Sequence, residues 1–310
     1  SMAVARWAEQ QLEADAPDAP MAEDRRAGLR RIAHYAVNRQ ALEELAERER
    51  AAVVVGAHAV ENWATDDLRR FNTAYLFTPD GVMRERYDKV HRVPFGEYIP
   101  WVSEWPWAKR LLLTLTPYDT SYDLTAGAMF RTFTVKVEEG RDWRLAVPIC
   151  FEDLVSYVPR QMVWGDGKVR AGFLANLGRL LSAENWRAEK RVDLLLNLTN
   201  DGWYAGEAEG PQHEQAARFR CVENRVPMAR SVNTGISGFI DSAGRVVERV
   251  VVDGRSQEVA GIATRVLYRD PRVTLFARIG DLWGAGCAAI SAVLLGVAAF
   301  RRPPGRKELA

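Results

Sequence analysis

Short runs of β-branched and aromatic residues recur along the chain, each closed by glycine, proline, asparagine or aspartate. Asp24 to Arg50 is different: Leu29, Ile32, Ala33, Ala36, Val37, Leu42, Leu45 and Ala46 fall three and four apart, which predicts a helix with one apolar face. Ala51 to Gly56 then reads as a strand, as does Phe71 to Phe77, and Pro79-Asp80-Gly81 turns the chain into a further strand, Val82–Tyr87. The same patterning predicts strands at Phe130–Glu138 and Trp143–Ile149, a helix at Ala171–Glu189 and a buried strand at Val192–Leu198. A helix from Gln212 to Asn224 follows Gly210-Pro211. Three short strands come after it, Val226–Ser231, Ser237–Asp241 and Val246–Val252. Strands that alternate with helices and with hairpins predict an α/β domain with mixed sheets. The chain shows no internal repeat.

Two stretches break this pattern. Leu282 to Phe300 is nineteen residues without a charge, followed by Arg301, Arg302, Arg306 and Lys307. At 1.5 Å per residue such a helix covers about 28 Å, close to the hydrocarbon thickness of a bilayer. The expectation is a transmembrane helix over 279–300, with Trp283 at an interface and a basic cytoplasmic tail, 301–310. The alternative is a buried core helix. Trp101 to Pro117 concentrates Trp101, Trp105, Trp107 and several leucines, which makes it a lipid-touching lid if exposed and core if buried.

Composition narrows the chemistry. Forty-two basic residues against 41 acidic ones leave no footprint for a polyanion, so no nucleic-acid partner is expected. Three cysteines and four histidines are too scattered for a disulfide framework or a metal-ligand spacing, and neither metal nor cofactor is expected. What stands out is Leu145 to Ile149, an apolar strand that stops at Cys150 and is followed by Phe151-Glu152-Asp153. A thiol where a strand turns can address a pocket, its sulfur and the next backbone N–H facing one carbonyl. Most free cysteines are simply small buried hydrophobes.

A nucleophilic thiol needs a base and a positive group for the oxyanion. Histidine is the usual base, yet none here sits in a persuasive motif: His91 reads as a structural hydrogen-bonder and His213 as a helix-cap partner. A buried carboxylate can serve instead. Ala3 to Trp7, an apolar run broken by Arg6, reads as the tail of a strand, so Glu9, Lys89 and Cys150 each lie at or near the end of an expected strand, which would let them converge.

The run Tyr87-Asp88-Lys89-Val90-His91-Arg92-Val93-Pro94-Phe95-Gly96-Glu97-Tyr98-Ile99-Pro100 resembles the lysine motif of the nitrilase superfamily, in the form used by apolipoprotein N-acyltransferases. Ile149-Cys150-Phe151-Glu152 is similar to that family's nucleophile motif. Asn200 to Tyr204, Gly210 to His213, Ala217 to Arg220 and Asn233 to Ser237 follow in the family's order. The resemblance implies a nitrilase-type α/β/β/α sandwich over residues 3–270, with Cys150 as nucleophile, Lys89 as oxyanion holder and Glu97 orienting the site. Phe151 and Glu152 support it, phenylalanine standing where the family often has tyrosine. The base belongs in a Trp-Pro-Glu motif; Trp7-Ala8-Glu9 is the nearest match, so Glu9 is expected, with Glu13 and Glu23 in reserve.

The resemblance also implies a phospholipid acyl donor, an apolipoprotein acceptor, and an inner-membrane enzyme whose catalytic domain faces the periplasm. The family's first strand and preceding membrane helices have no counterpart before Trp7, so the expectation is an N-terminally truncated chain. Two rivals stand beside it: an amidase using the same three residues on a small amide, and an inactive membrane-tethered fragment.

Overall fold

The computed structural model describes residues 38–62, 68–100, 123–137, 139–169, 186–202 and 208–300. Glu9, Glu13, Glu23, the Trp101–Pro117 segment, the tail 301–310 and most of the expected Ala171–Glu189 helix lie outside the described residues. The chain divides into two compact units, the first comprising 38–59 and 72–87 among the described residues.

In the first unit, helix α1 (38–49) ends at Arg50, whose φ of 48° reverses the chain into the first strand. Strands β1 (Val53–Glu61), β2 (Arg69–Phe77) and β3 (Met83–Asp88) form a sheet in sequential order. The β2–β3 turn is closed by the Gly81 N–H to Thr78 carbonyl bond (2.9 Å) and the Thr78 N–H to Val82 carbonyl bond (3.0 Å). Gly81 takes φ 72°, and a Cβ there would sit 3.0 Å from the Glu43 carbonyl oxygen of α1. Both facts call for glycine at that turn.

The second unit holds a six-stranded sheet in the order β4 (Phe133–Val135), β5 (Trp143–Ala146), β6 (Leu194–Thr199), β7 (Met228–Val232), β8 (Gly238–Ile240), β9 (Val246–Arg249). β5, β6 and β7 are parallel, and the outer pairings are antiparallel. Parallel neighbours need crossovers. The β5–β6 crossover includes helix α2 (Tyr157–Trp164), and the β6–β7 crossover contains α3 (Glu209–Asn224). Asp193, just before β6, accepts from Arg144 N (3.0 Å), Arg144 Nε (3.1 Å) and Arg141, which locks the entry of β6 onto β5. Two helices end the described chain: α4 (Leu275–Ile279) and α5 (Leu282–Phe300).

The differences from the sequence reading have local causes. The Phe130–Glu138 strand shortens to Phe133–Val135 because Phe130 N–H turns away to the Gly167 carbonyl (2.8 Å) and Met129 bridges Lys168. The Trp143–Ile149 strand leaves its ladder at Ala146: Pro148 has no N–H to give, and Ile149 resumes as a single bridge to Leu198. Helix α3 starts three residues early, at Glu209, because Pro211 needs no donor in a first turn. Helix α5 carries its side chains in the open, Trp283 at 77% exposure and Ile290, Val293, Leu294 and Leu295 likewise exposed. Its side chains are described to residue 298, and among the described residues no helix is long and apolar enough to cross a membrane.

The sheet edge gives a stability test. At Gly238, opposite Arg249, a Cβ would sit 2.3 Å from the Glu248 carbonyl oxygen. Gly238→Ala is expected to cost about 2 kcal/mol through forced separation of β8 and β9, read as a lower urea midpoint at unchanged slope.

Candidate active site

β5 delivers the chain to Pro148, Ile149 and Cys150. The Pro148 carbonyl accepts from Asn197 Nδ2 (3.1 Å) and Leu198 N (3.4 Å), so the strand end stays against β6 after its ladder stops. At Cys150 the backbone turns left-handed, φ 51°, and Cys150–Asp153 winds into a 3-10 turn. A non-glycine residue there is held at a cost of about 1–2 kcal/mol, so its surroundings must impose the conformation. Cys150 is half-buried.

Glu152 imposes it. Its buried carboxylate accepts three main-chain N–H groups: Ile149 on Oε2 (2.9 Å), and Val90 and His91 on Oε1 (2.9 Å each). The first donor lies just before the nucleophile candidate; the other two directly follow Lys89. One carboxylate therefore staples the cysteine turn to the lysine loop. Charge-assisted bonds of this kind are about twice as strong as neutral ones.

Lys89 is 1% exposed, and its Nζ donates to Glu97 Oε1 at 2.9 Å. A buried ammonium is costly without such a partner. Glu97 Oε2 accepts Val93 N (2.8 Å), holding the loop in a tight coil. Residues 123–127 strap it from outside, through Leu124 N to Glu97 O (2.9 Å) and Gly127 N to Lys89 O (2.8 Å). A Cβ on Gly127 would come within 2.1 Å of the Asp88 carbonyl oxygen, so this approach is reserved for glycine.

Phe151 stacks on His91 with centroids 5.9 Å apart and planes at 16°. His91 Nδ1 meets the Tyr157 hydroxyl at 2.7 Å. Burial, then the Lys89 charge, push the His91 pKa below its ordinary value, while burial raises that of Tyr157. His91 thus orders the turn as a neutral ring.

Asp153, the last residue of the turn, is fully buried between two cations. Oδ2 accepts from Arg230 Nη1 (2.6 Å) on β7, and Oδ1 lies 2.6 Å from His213 Nε2 on α3. The other ring nitrogen faces Asp201 Oδ1 (3.1 Å) and Glu209 Oε1 (3.2 Å), and Asp201 also accepts from Thr199 Oγ1 (3.0 Å). Burial opposes charge on His213, but Asp153 and Asp201 prevail and raise its pKa to about 10. This corrects the expectation of a helix cap: His213 lies inside α3 as an imidazolium bridging two aspartates. Asp201 stood in a quoted motif without a role, Asp153 directly after one, and Arg230 outside them. Sequence gives no sign that α3 and β7 place cations on one carboxylate.

Asp201, Glu209 and His213 offer ligand atoms within 4.8 Å of one another, a spacing a metal ion could use. Both ring nitrogens already face carboxylates, so the imidazolium takes the place of the cation. Of the other thiols, Cys221 on α3 is fully buried, which pushes it far above the ordinary range, and Cys287 is exposed on α5.

Lys89, Glu97, Phe151 and Glu152 are thus joined with the Cys150 turn in one bonded unit, while Glu9 lies outside the described residues. The carbon-nitrogen hydrolase family profile covers residues 22–264, and the chain belongs to that family, with its nitrilase-type α/β fold. Glu23 falls inside the matched span; Glu9 and Glu13 precede it. Among curated relatives, the apolipoprotein N-acyltransferase of Geobacter metallireducens is 29% identical over 264 residues, 83% of this chain and 41% of its own length. That of Chlorobaculum tepidum is 32% identical over 233 residues, 75% of this chain and 37% of its own. The chain thus spans about two fifths of the length of these relatives. Among solved structures, an amidase from Nesterenkonia sp. aligns over 70% of this chain and 64% of its own, at 15% identity and a TM-score of 0.44.

Two outcomes test the geometry. Glu152→Gln leaves an amide NH2 facing a main-chain donor, and is expected to cost about 3 kcal/mol in a urea titration. The His213 pKa is raised on folding, so its ionised form adds stability that is complete below pH 6.5 and lost as pH rises through about 10. Wild type is therefore expected to lose stability across that window by a component that His213→Gln lacks, read as urea midpoints at stepped pH.

Proposed function

We propose that the chain is the catalytic part of an apolipoprotein N-acyltransferase, anchored by its C-terminal helix with the domain on the periplasmic side of the inner membrane. The observation that carries the reading is the Glu152 staple, which ties the Cys150 turn to the Lys89 loop in a chain whose helix α5 exposes Trp283, Ile290, Val293, Leu294 and Leu295. The names of the curated relatives support the choice of acceptor.

Chemically, the Cys150 thiol gives its proton to a carboxylate and attacks the ester carbonyl of a phospholipid. Lys89 Nζ and a backbone N–H hold the oxyanion. The C–O bond breaks, the lysophospholipid alkoxide leaves with the proton, and the acyl group remains as a Cys150 thioester. The α-amino group of a lipidated N-terminal cysteine then attacks. The C–S bond breaks, an amide forms, and the amine proton restores the thiol. Glu97 keeps Lys89 in place. The base comes from the N-terminal segment: Glu9, two residues after Trp7, with Glu13 and Glu23 as alternatives, of which Glu23 lies in the family span.

The full chain is incubated in micelles with a phospholipid labelled in its acyl chains, then weighed intact. Wild type is expected to gain one acyl mass on Cys150 and release it to a peptide with a lipidated N-terminal cysteine; Cys150→Ala is expected to gain none. An unlabelled wild type overturns the reading, and acyl release to water alone converts it to a hydrolase. Replacing the true base with glutamine is expected to slow acylation at least about a hundredfold. Measuring Glu9→Gln, Glu13→Gln and Glu23→Gln side by side decides among them.

A further inference from the structure

Helix α2 begins four residues after Asp153, so whatever it binds is tied closely to the nucleophile turn. It carries Arg160, which is buried. The Arg160 guanidinium reaches into the end of α4: Nε donates to the Ala277 carbonyl (3.1 Å) and Nη2 to the Arg278 carbonyl (2.9 Å). A helix of five residues leaves its last carbonyls without helical partners, and a planar fork of donors suits two successive ones. Gly280 follows at φ 58° and ψ −140°, and a Cβ on it would lie 2.9 Å from Arg160 Nη1. Beyond the glycine, Asp281 Oδ2 accepts the Ser156 hydroxyl at 2.8 Å, and α5 begins.

The other sides of α4 are held as well. Thr274 Oγ1 caps its start, accepting Ala277 N (3.0 Å), and donates to the Glu223 carbonyl of α3. Arg278 Nη1 donates to the Ala188 carbonyl (3.0 Å), and its guanidinium lies 5.0 Å from the Trp164 ring. The base of α5 is therefore bonded into the catalytic unit, while the body of the helix is exposed. The bonds that hold the chain just before α5, one from Ser156 and two from Arg160, come from the segment that directly follows the nucleophile turn.

We propose that Arg160, with Gly280 and the Ser156–Asp281 pair, is a positioning joint that sets the height and tilt of the Cys150 turn over the membrane in which α5 is embedded. This rests on the membrane-anchored acyltransferase reading. The ester carbonyl of a bilayer phospholipid sits at a fixed depth, so a nucleophile held at a matching height meets it far more often than one on a slack tether. A water-soluble acyl ester reaches Cys150 from solvent and has no such requirement. The joint thus selects for donors that stay in the bilayer.

The test compares two donors for the full chain reconstituted in phosphatidylcholine vesicles: the vesicle lipid, and a water-soluble short-chain p-nitrophenyl ester. Arg160→Lys keeps the charge and loses the fork; Gly280→Ala perturbs the joint from its other side. Each variant is expected to acylate Cys150 from lipid about tenfold more slowly while its rate with the soluble ester stays within about twofold of wild type. Ser156→Ala, losing one bond, is expected to fall between. A parallel loss with both donors means a merely structural role and overturns the joint, as does an unchanged rate with lipid. Should wild type use the soluble ester and never the lipid, the acyltransferase reading itself fails; the variants need not be consulted.

Discussion

One carboxylate carries the arrangement. Glu152 gathers three main-chain donors from two segments some sixty residues apart in sequence, and each segment owes its shape to that acceptor. Remove the charge and the left-handed Cys150 loses what holds it, while the lysine loop loses its fixed neighbour. A buried carboxylate with no donors would be intolerable; one with three main-chain donors becomes a rigid joint. Because the donors are backbone groups, no rotamer change elsewhere can substitute for them.

Around that joint the protein neutralises its buried charges in alternation. Arg230, Asp153, His213 and Asp201 run plus, minus, plus, minus from β7 through the nucleophile turn into α3 and the end of β6. Lys89 and Glu97 form a second, shorter pair. Each buried charge would be prohibitive alone, and each is tolerable because its neighbour carries the opposite sign. The parallel β5–β6–β7 core supports the longer run: Asp153 and Asp201 follow the ends of β5 and β6, Arg230 lies on β7, and His213 comes from the α3 crossover.

Much of this was legible in sequence. Period-two and period-four patterning found most of the described strands and helices, because a half-buried strand and an amphipathic helix must show it. The strand-end cysteine and the lysine loop with its glutamate were readable as motifs. What could not be read was which acid meets which base. Glu152 looked like an accessory beside Cys150, yet its partners are N–H groups that every residue has, so no sequence pattern marks them. His213 passed for a cap because its two aspartates arrive from the turn before α2 and from the end of β6. Strand boundaries slipped at Phe130 and Pro148 for the same reason: a neighbouring carbonyl or a missing donor decided them.

The three cysteines show how far one side chain can be steered by its setting. Cys221 is sealed in the protein interior and keeps its proton, Cys287 looks out from an apolar helix, and Cys150 stands half-open on a strained turn. A water-borne electrophile therefore meets a hidden sulfur, a sulfur among hydrocarbon side chains, and a presented one, all in the same molecule. The chain carries its own internal controls for thiol labelling: the fold supplies the selectivity that a chemist would otherwise have to design into the reagent.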